Sequence, residues 1–163
     1  MKRLYLFFVI CFISFFSFAE DYTRFSSSTH IKTVFNYFLE NEWKFNYLKE
    51  YSAITFEPKN DVYYIGQKVA SISFSFDSEG FIVHQHIVLA DIDYPYSKQE
   101  AFRLLLQIAC KDSASFYNYQ YEETDDAITY NYYAHVPEYN NSLYSITSVN
   151  NNYCFISILY SDN

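Results

Sequence analysis

Glycine and proline are nearly missing from this chain. Its 163 residues include only Gly66 and Gly80, with Pro58, Pro95 and Pro137. A loop that cradles phosphate needs several glycines so that backbone amides can approach the anion, and no such loop can be written here. Nor is there a Gly-x-Ser-x-Gly nucleophile elbow. Cationic side chains are also few, with 11 Lys and Arg against 19 Asp and Glu and a formal charge of −8. None follows Lys111, whereas Asp112, Glu122, Glu123, Asp125, Asp126, Glu138 and Asp162 do. An acidic chain repels phosphate backbones, so neither nucleic acid nor an anionic membrane surface is an expected partner.

Long apolar runs are absent too, with one exception. Lys2 and Arg3 precede an uncharged stretch from Leu4 to Phe18, closed by Ser17-Phe18-Ala19 and then Glu20-Asp21. A positive start, an apolar middle and small residues three and one before a cut describe a secretory signal peptide, cleaved after Ala19. At about 1.5 Å per residue the run spans roughly 23 Å as a helix, short of a bilayer core of about 30 Å. Removal of residues 1–19 takes away two basic residues and no acid, which leaves a formal charge of −10. The expected product is exported, periplasmic or extracellular, with no membrane segment after cleavage. Residues 20–29 read as a mobile polar leader, and 30–163 as a single domain.

Cysteine is scarce, and Cys11 falls inside the leader peptide. Cys110 and Cys154 remain. An oxidising compartment permits one disulfide between them. It would close a loop of about 45 residues and contribute roughly 4 kcal/mol in the chain-entropy picture. The alternative is two buried thiols packed as small apolar groups.

What the chain has in abundance is aromatic, 19 Tyr and 17 Phe. These side chains favour pleated, half-buried surfaces, and Tyr is common where proteins bind one another. Ile31, Val34, Phe35, Phe38 and Leu39 recur at helical spacing, which predicts a helix over 30–41 with cap candidates in Ser26–Thr29. Strands are expected at Trp43–Tyr47 and Ser52–Glu57. Val69–Asp77 alternates Ile72, Phe74 and Phe76 with Ser71, Ser73 and Ser75, so one face is apolar and the other polar. Asp77-Ser78-Glu79-Gly80 turns it into a returning strand, Phe81–Ala90. Ser97 and Glu100 form a capping box before a helix over 98–111. Two strands follow, Ser115–Tyr121 and Ala127–His135, joined by the acidic turn Glu122–Asp126. For residues 142–160 a core-facing helix is expected, with a hairpin of 142–149 and 153–160 as the rival. The fold class is therefore α+β, an antiparallel β-sheet with helices packed mainly on one face, in the order α-β-β-β-β-α-β-β-α.

That order, with Phe38-Leu39-Glu40-Asn41-Glu42-Trp43-Lys44-Phe45, resembles the YbjN family of small bacterial proteins, whose fold is like that of type III secretion chaperones. The stretch is similar to the family's helix end, short turn, Trp and aromatic strand. Pro95, the helix Glu100–Ala109 and the strand, acidic turn and strand up to His135 are similar to its second half. Cys110-Lys111-Asp112-Ser113 departs from the Asn and Gly usual there, and a signal peptide is unusual for the family. The resemblance implies a fold that grips other proteins and supplies no catalytic residues.

Candidate chemistry is thin. His84 and His86 lie two apart on a strand, so both imidazoles point the same way and could share an ion such as zinc. A third ligand would come from His135, Asp91 or Asp93. Hydrogen-bonded histidines on a strand surface are the plainer reading. Asp91 and Asp93 pair two carboxylates, which can do acid–base work if their environments differ. The Glu122–Asp126 turn lacks the ligand spacing of a calcium loop. No cofactor is expected. The function that follows is a non-catalytic, protein-binding or chaperone-like module of the bacterial cell envelope, whose partner is another protein or a second copy in a homodimer. A small-ligand or metal-binding protein, and an enzyme of unrecognised class, are the alternatives.

Overall fold

The computed structural model describes residues 20–22, 24–49, 52–90, 96–111, 114–136, 139–149 and 153–161. Among them are ten strands and two helices. In chain order these are β1 (Glu20–Asp21), α1 (Ile31–Glu40), β2 (Lys44–Leu48), β3 (Ala53–Glu57), β4 (Val62–Tyr64), β5 (Gln67–Phe76) and β6 (Ile82–Leu89). They continue with α2 (Lys98–Lys111), β7 (Ser115–Glu123), β8 (Ala127–Val136), β9 (Tyr139–Val149) and β10 (Tyr153–Ser161). Eight strands form an antiparallel run in the order β2-β3-β5-β6-β10-β9-β8-β7. The long strand β5 has two neighbours on one side, β3 beside its second half and β4 beside Gln67 and Lys68. β1 adds to β4 in parallel.

This overturns the α+β expectation. Among the described residues the protein is a β-rich fold with two short helices, and their order is not α-β-β-β-β-α-β-β-α. The largest difference lies at the C-terminal end. The expected helix over 142–160 is the hairpin of β9 and β10, paired from Tyr153↔Val149 to Ser161↔Asn141. Apolar spacing there also fits a period of two. Tyr144 and Ile146 alternate with Leu143, Ser145 and Thr147, and Ile156 and Ile158 with Phe155, Ser157 and Leu159. Alternation and β-branched content favour strands, and a polar asparagine run between them is poor helix material. The element order on which the YbjN resemblance leans is thus broken at its last member.

Local chemistry explains the helices and the central hairpin. Val34 and Phe38 are buried on one face of α1. The cap is His30 rather than a serine of 26–29, its Nδ1 accepting the Lys32 amide at 3.1 Å. The Ser97 hydroxyl accepts the Glu100 amide at 3.3 Å, and a Glu100 carboxylate oxygen accepts the Ser97 amide at 2.9 Å. That reciprocal pair starts α2. Between β5 and β6, Asp77 Oδ1 accepts the amides of Glu79 and Phe81 at 2.9 and 2.8 Å. Gly80 then takes φ 91°, a left-handed geometry that suits a residue without Cβ.

Residues directly opposed in an antiparallel pair share a face. Register therefore places Phe56, Ile72, Ile87, Ile156, Ile146 and Tyr130 on one row of one face, and all six are buried. Phe38 of α1 stacks on Phe56 at 4.1 Å, with Trp43 edge-on at 4.7 Å. At the other end of that face Phe102 of α2 lies 5.3 Å from Tyr132. The leader also crosses this face. Tyr22 is buried, donates its hydroxyl to Gln85 Oε1 at 2.7 Å and stacks on Phe38. Gln85 Nε2 donates to the Phe25 carbonyl at 3.2 Å, and Arg24 hydrogen-bonds Tyr160.

Candidate functional site

The opposite face of the sheet carries His84 and His86, the paired histidines that the sequence singles out. One row crosses all eight strands as Asn46, Thr55, Ser73, His86, Ser157, Ser145, Asn131 and Gln120. Every member is polar and none is a carboxylate, lysine or arginine. Neighbours in the row bond sideways, Thr55 to Ser73 at 2.8 Å and His86 Nδ1 to the Ser157 hydroxyl at 2.6 Å. The adjacent row runs Ala53, Ser75, His84, Leu159, Leu143 and Tyr133.

A cleft of about 410 Å³ opens where these rows cross β5 and β6, lined by Leu48, Ala53, Ser73, Phe74, Ser75, His84 and His86. Its volume lies in the range of small-ligand pockets. His84 and His86 share the face, with ring centroids 6.0 Å apart. His86 also stacks on Phe155 at 5.1 Å. Burial lowers the His84 pKa from its ordinary value, and burial, followed by the neighbouring His84, brings His86 down to about 4. Both rings are therefore neutral at pH 7, each offering one N–H and one lone pair.

The metal reading needs a third donor. His135 sits on β8, three strands from β6, which at about 4.8 Å per strand is roughly 14 Å away. Asp91 and Asp93 lie outside the described residues. Among the described residues no three His, Cys, Asp or Glu side chains gather. His86 and Ser157 join an imidazole to a hydroxyl, the first link of a nucleophilic relay. Among the described residues no carboxylate lines the cleft to orient the far ring nitrogen.

The remaining candidates stand apart from this cleft. Cys154 is a free thiol buried on the apolar face, its pKa pushed up to about 12 by burial. Cys110 lies in α2, but its side chain is outside the described residues, as are residues 1–19 with the cut after Ala19. The Glu122–Asp126 turn is an exposed hairpin tip closed by the Thr124 amide on the Ala127 carbonyl at 2.9 Å.

β7 forms the second surface of interest. Among the described residues it pairs with β8 alone, and the Tyr119 amide is accepted by Asn118 Oδ1 at 2.8 Å. Tyr117, Tyr119 and Tyr121 stand exposed along it. Tyr119 stacks on Tyr132 at 5.7 Å, while Tyr121 hydrogen-bonds Glu123. Ser157, the orienting partner of His86, was missed in the sequence because its segment read as helix. The signal that could have found it is its position between Ile156 and Ile158.

No helix among the described residues is long and apolar enough to cross a membrane. No family model matches the chain, and no curated protein matches it. A solution structure of cyanobacterial PsbP (CyanoP) from Synechocystis sp. PCC 6803 is similar at 12% identity and a TM-score of 0.42, over 74% of this chain and 81% of that one.

Proposed function

We propose that the protein is an exported, non-catalytic binding module of a bacterial cell envelope that takes a protein partner on the β7 edge. The observation that carries this reading is the edge itself, nine residues long and paired on one side among the described residues, with three exposed tyrosines. Natural sheets commonly blunt such edges with lysine, proline, brevity, charge or a bulge; β7 has no lysine or proline and is nine residues long, with a bulge at Phe116–Asn118 and charge confined to Glu122 and Glu123 at its end. An extended segment added there gains main-chain hydrogen bonds, and the tyrosines supply contact area with polar tips. Glu122, Glu123, Asp125 and Asp126 at its end favour a segment that carries Lys or Arg. The leader Lys2–Ala19 supports export.

Photo-crosslinking in the native envelope tests this. A photoreactive residue replaces Tyr117 on the edge or, as control, Leu39, which is exposed on α1. The expected result is a discrete adduct with another protein from position 117 and none from 39. Adducts with a second copy alone would replace the heterologous partner by a homodimer. Equal labelling from both positions, or none from 117, would overturn the reading.

A further inference from the structure

The cleft on the open face is independent of the β7 edge, four strands away along the sheet from β6. Its polar lining has a simple plan. Ser73 opposes His86, and Ser75 opposes His84, on the adjacent strands β5 and β6. Two hydroxyls and two imidazoles thus mark the corners of a rectangle. Cross-strand spacing sets one side at about 5 Å and residue spacing along the strand sets the other at about 7 Å. Leu48 and Ala53 form an apolar wall along one side.

Two of the four corners are held from outside. Ser73 is fixed by Thr55 at 2.8 Å and His86 by Ser157 at 2.6 Å. A site whose donors are already oriented loses less freedom when a ligand arrives. Among the described residues no formal charge lines the cleft, so these side chains offer nothing to pair with a phosphate, a carboxylate or an ammonium group. A buried ion without a partner is costly. Ser75 and His84 can instead each both donate and accept a hydrogen bond, which is also the capacity of an alcohol, while Ser73 and His86, already bonded to Thr55 and Ser157, keep the remaining hydroxyl capacity and the Nε2 atom. The wall suits a patch of C–H groups.

From this arrangement we infer that the cleft is a binding site for a neutral, polyhydroxylated ligand of the saccharide class, held by Ser73, Ser75, His84 and His86 against Leu48 and Ala53. Low charge follows from the described lining, and several hydroxyls on one rigid ring follow from four hydrogen-bonding groups at fixed separations, two of which, Ser75 and His84, keep both capacities. The burial that keeps both imidazoles neutral preserves their acceptor lone pairs at pH 7.

The test is titration of the exported form of the full chain with glucose, N-acetylglucosamine, maltose and cellobiose, followed by amide and imidazole NMR shifts. At least one sugar should give saturable shifts confined to 73–75 and 84–86. Glucose 6-phosphate and glucosamine, which add a charge to a similar ring, should bind at least tenfold more weakly than their neutral counterparts. Ser75→Ala and, separately, His84→Asn should each weaken the neutral sugar at least tenfold, and His135→Asn should leave it unchanged. Unchanged spectra away from the cleft establish that each variant is folded. Absence of saturable shifts with all four sugars would overturn the inference. So would equal affinity for the charged rings, or a response of the two imidazoles to zinc alone.

Discussion

Single residues set the geometry of the hairpin and the protonation of the cleft. At Gly80 a built Cβ would come 2.8 Å from His30 Nε2 and 3.1 Å from Ile31 Cγ2. The position also demands a left-handed φ. Gly80→Ala should therefore destabilise the protein by about 1–3 kcal/mol, read as a lower urea midpoint with unchanged slope. A neutral midpoint would mean that the His30 cap yields at no cost. His86 leads to a prediction about pH. Its pKa is about 4 in the folded protein against an ordinary 6.5, so between these values the unfolded chain binds more protons. Stability must then fall as pH drops from 6.5 toward 4 and is fully present above 6.5. His84, lowered in the same direction, adds to the effect. His86→Asn, which can still bond Ser157, should flatten the dependence of the urea midpoint on pH in that window. An unchanged slope would assign the acid sensitivity elsewhere.

Elements differ in how openly the sequence declares them, and the reason is redundancy of signal. α2 has both a capping box and a buried stripe of Ala101, Leu104, Leu105 and Ile108, and its bounds are legible from residues alone. Ser97→Ala removes the hydroxyl that accepts the Glu100 amide and should cost about 1 kcal/mol, measured by thermal unfolding. Glu100→Gln, which retains an acceptor for the Ser97 amide, should cost less. If the two variants are equal, the box does not hold the helix end. The β5–β6 hairpin is equally clear, because alternation and a Gly-bearing turn agree. The C-terminal hairpin is not, since Leu143, Ile146, Val149, Tyr153 and Ile156 also satisfy a helical spacing. What decides there is pairing with β6 and β8, and a linear pattern does not contain its neighbours. The leader was obscure for the opposite reason. Its polar composition hides Tyr22 and Phe25, whose contacts with Gln85, Phe38 and Phe74 are long-range. His84 and His86 were visible as a same-face pair, but the cleft around them was not. Its wall comes from β2 and β3, and Ser157 comes from β10.

At the scale of the whole molecule, charge and edge act together. The chain from residue 112 onward has no Lys or Arg, and β7 runs from Ser115 to Glu123 within it. An added strand would therefore meet negative charge at the Glu122–Asp126 end of β7. Exposed charges are screened over a Debye length of about 10 Å at 0.1 M salt and about 3 Å at 1 M. A short, extended peptide bearing several lysines between Thr, Val and Tyr residues should bind the full exported chain at the lower salt. Its affinity should drop at least tenfold at the higher one, measured by fluorescence anisotropy. Double replacement of Glu122 and Glu123 by Gln should weaken the peptide at low salt and flatten the salt dependence, because it removes charge while it leaves the edge amides in place. A peptide with lysines changed to glutamates should not bind. Tyr119→Pro serves as the complementary variant, since it removes the amide now held by Asn118 Oδ1 at 2.8 Å and places a proline on the edge without altering charge; it should weaken binding at every salt concentration. If binding is insensitive to salt and to Glu122 and Glu123, the acidic end has no part in partner choice. If Tyr119→Pro also has no effect, the peptide binds away from β7, and the edge reading fails.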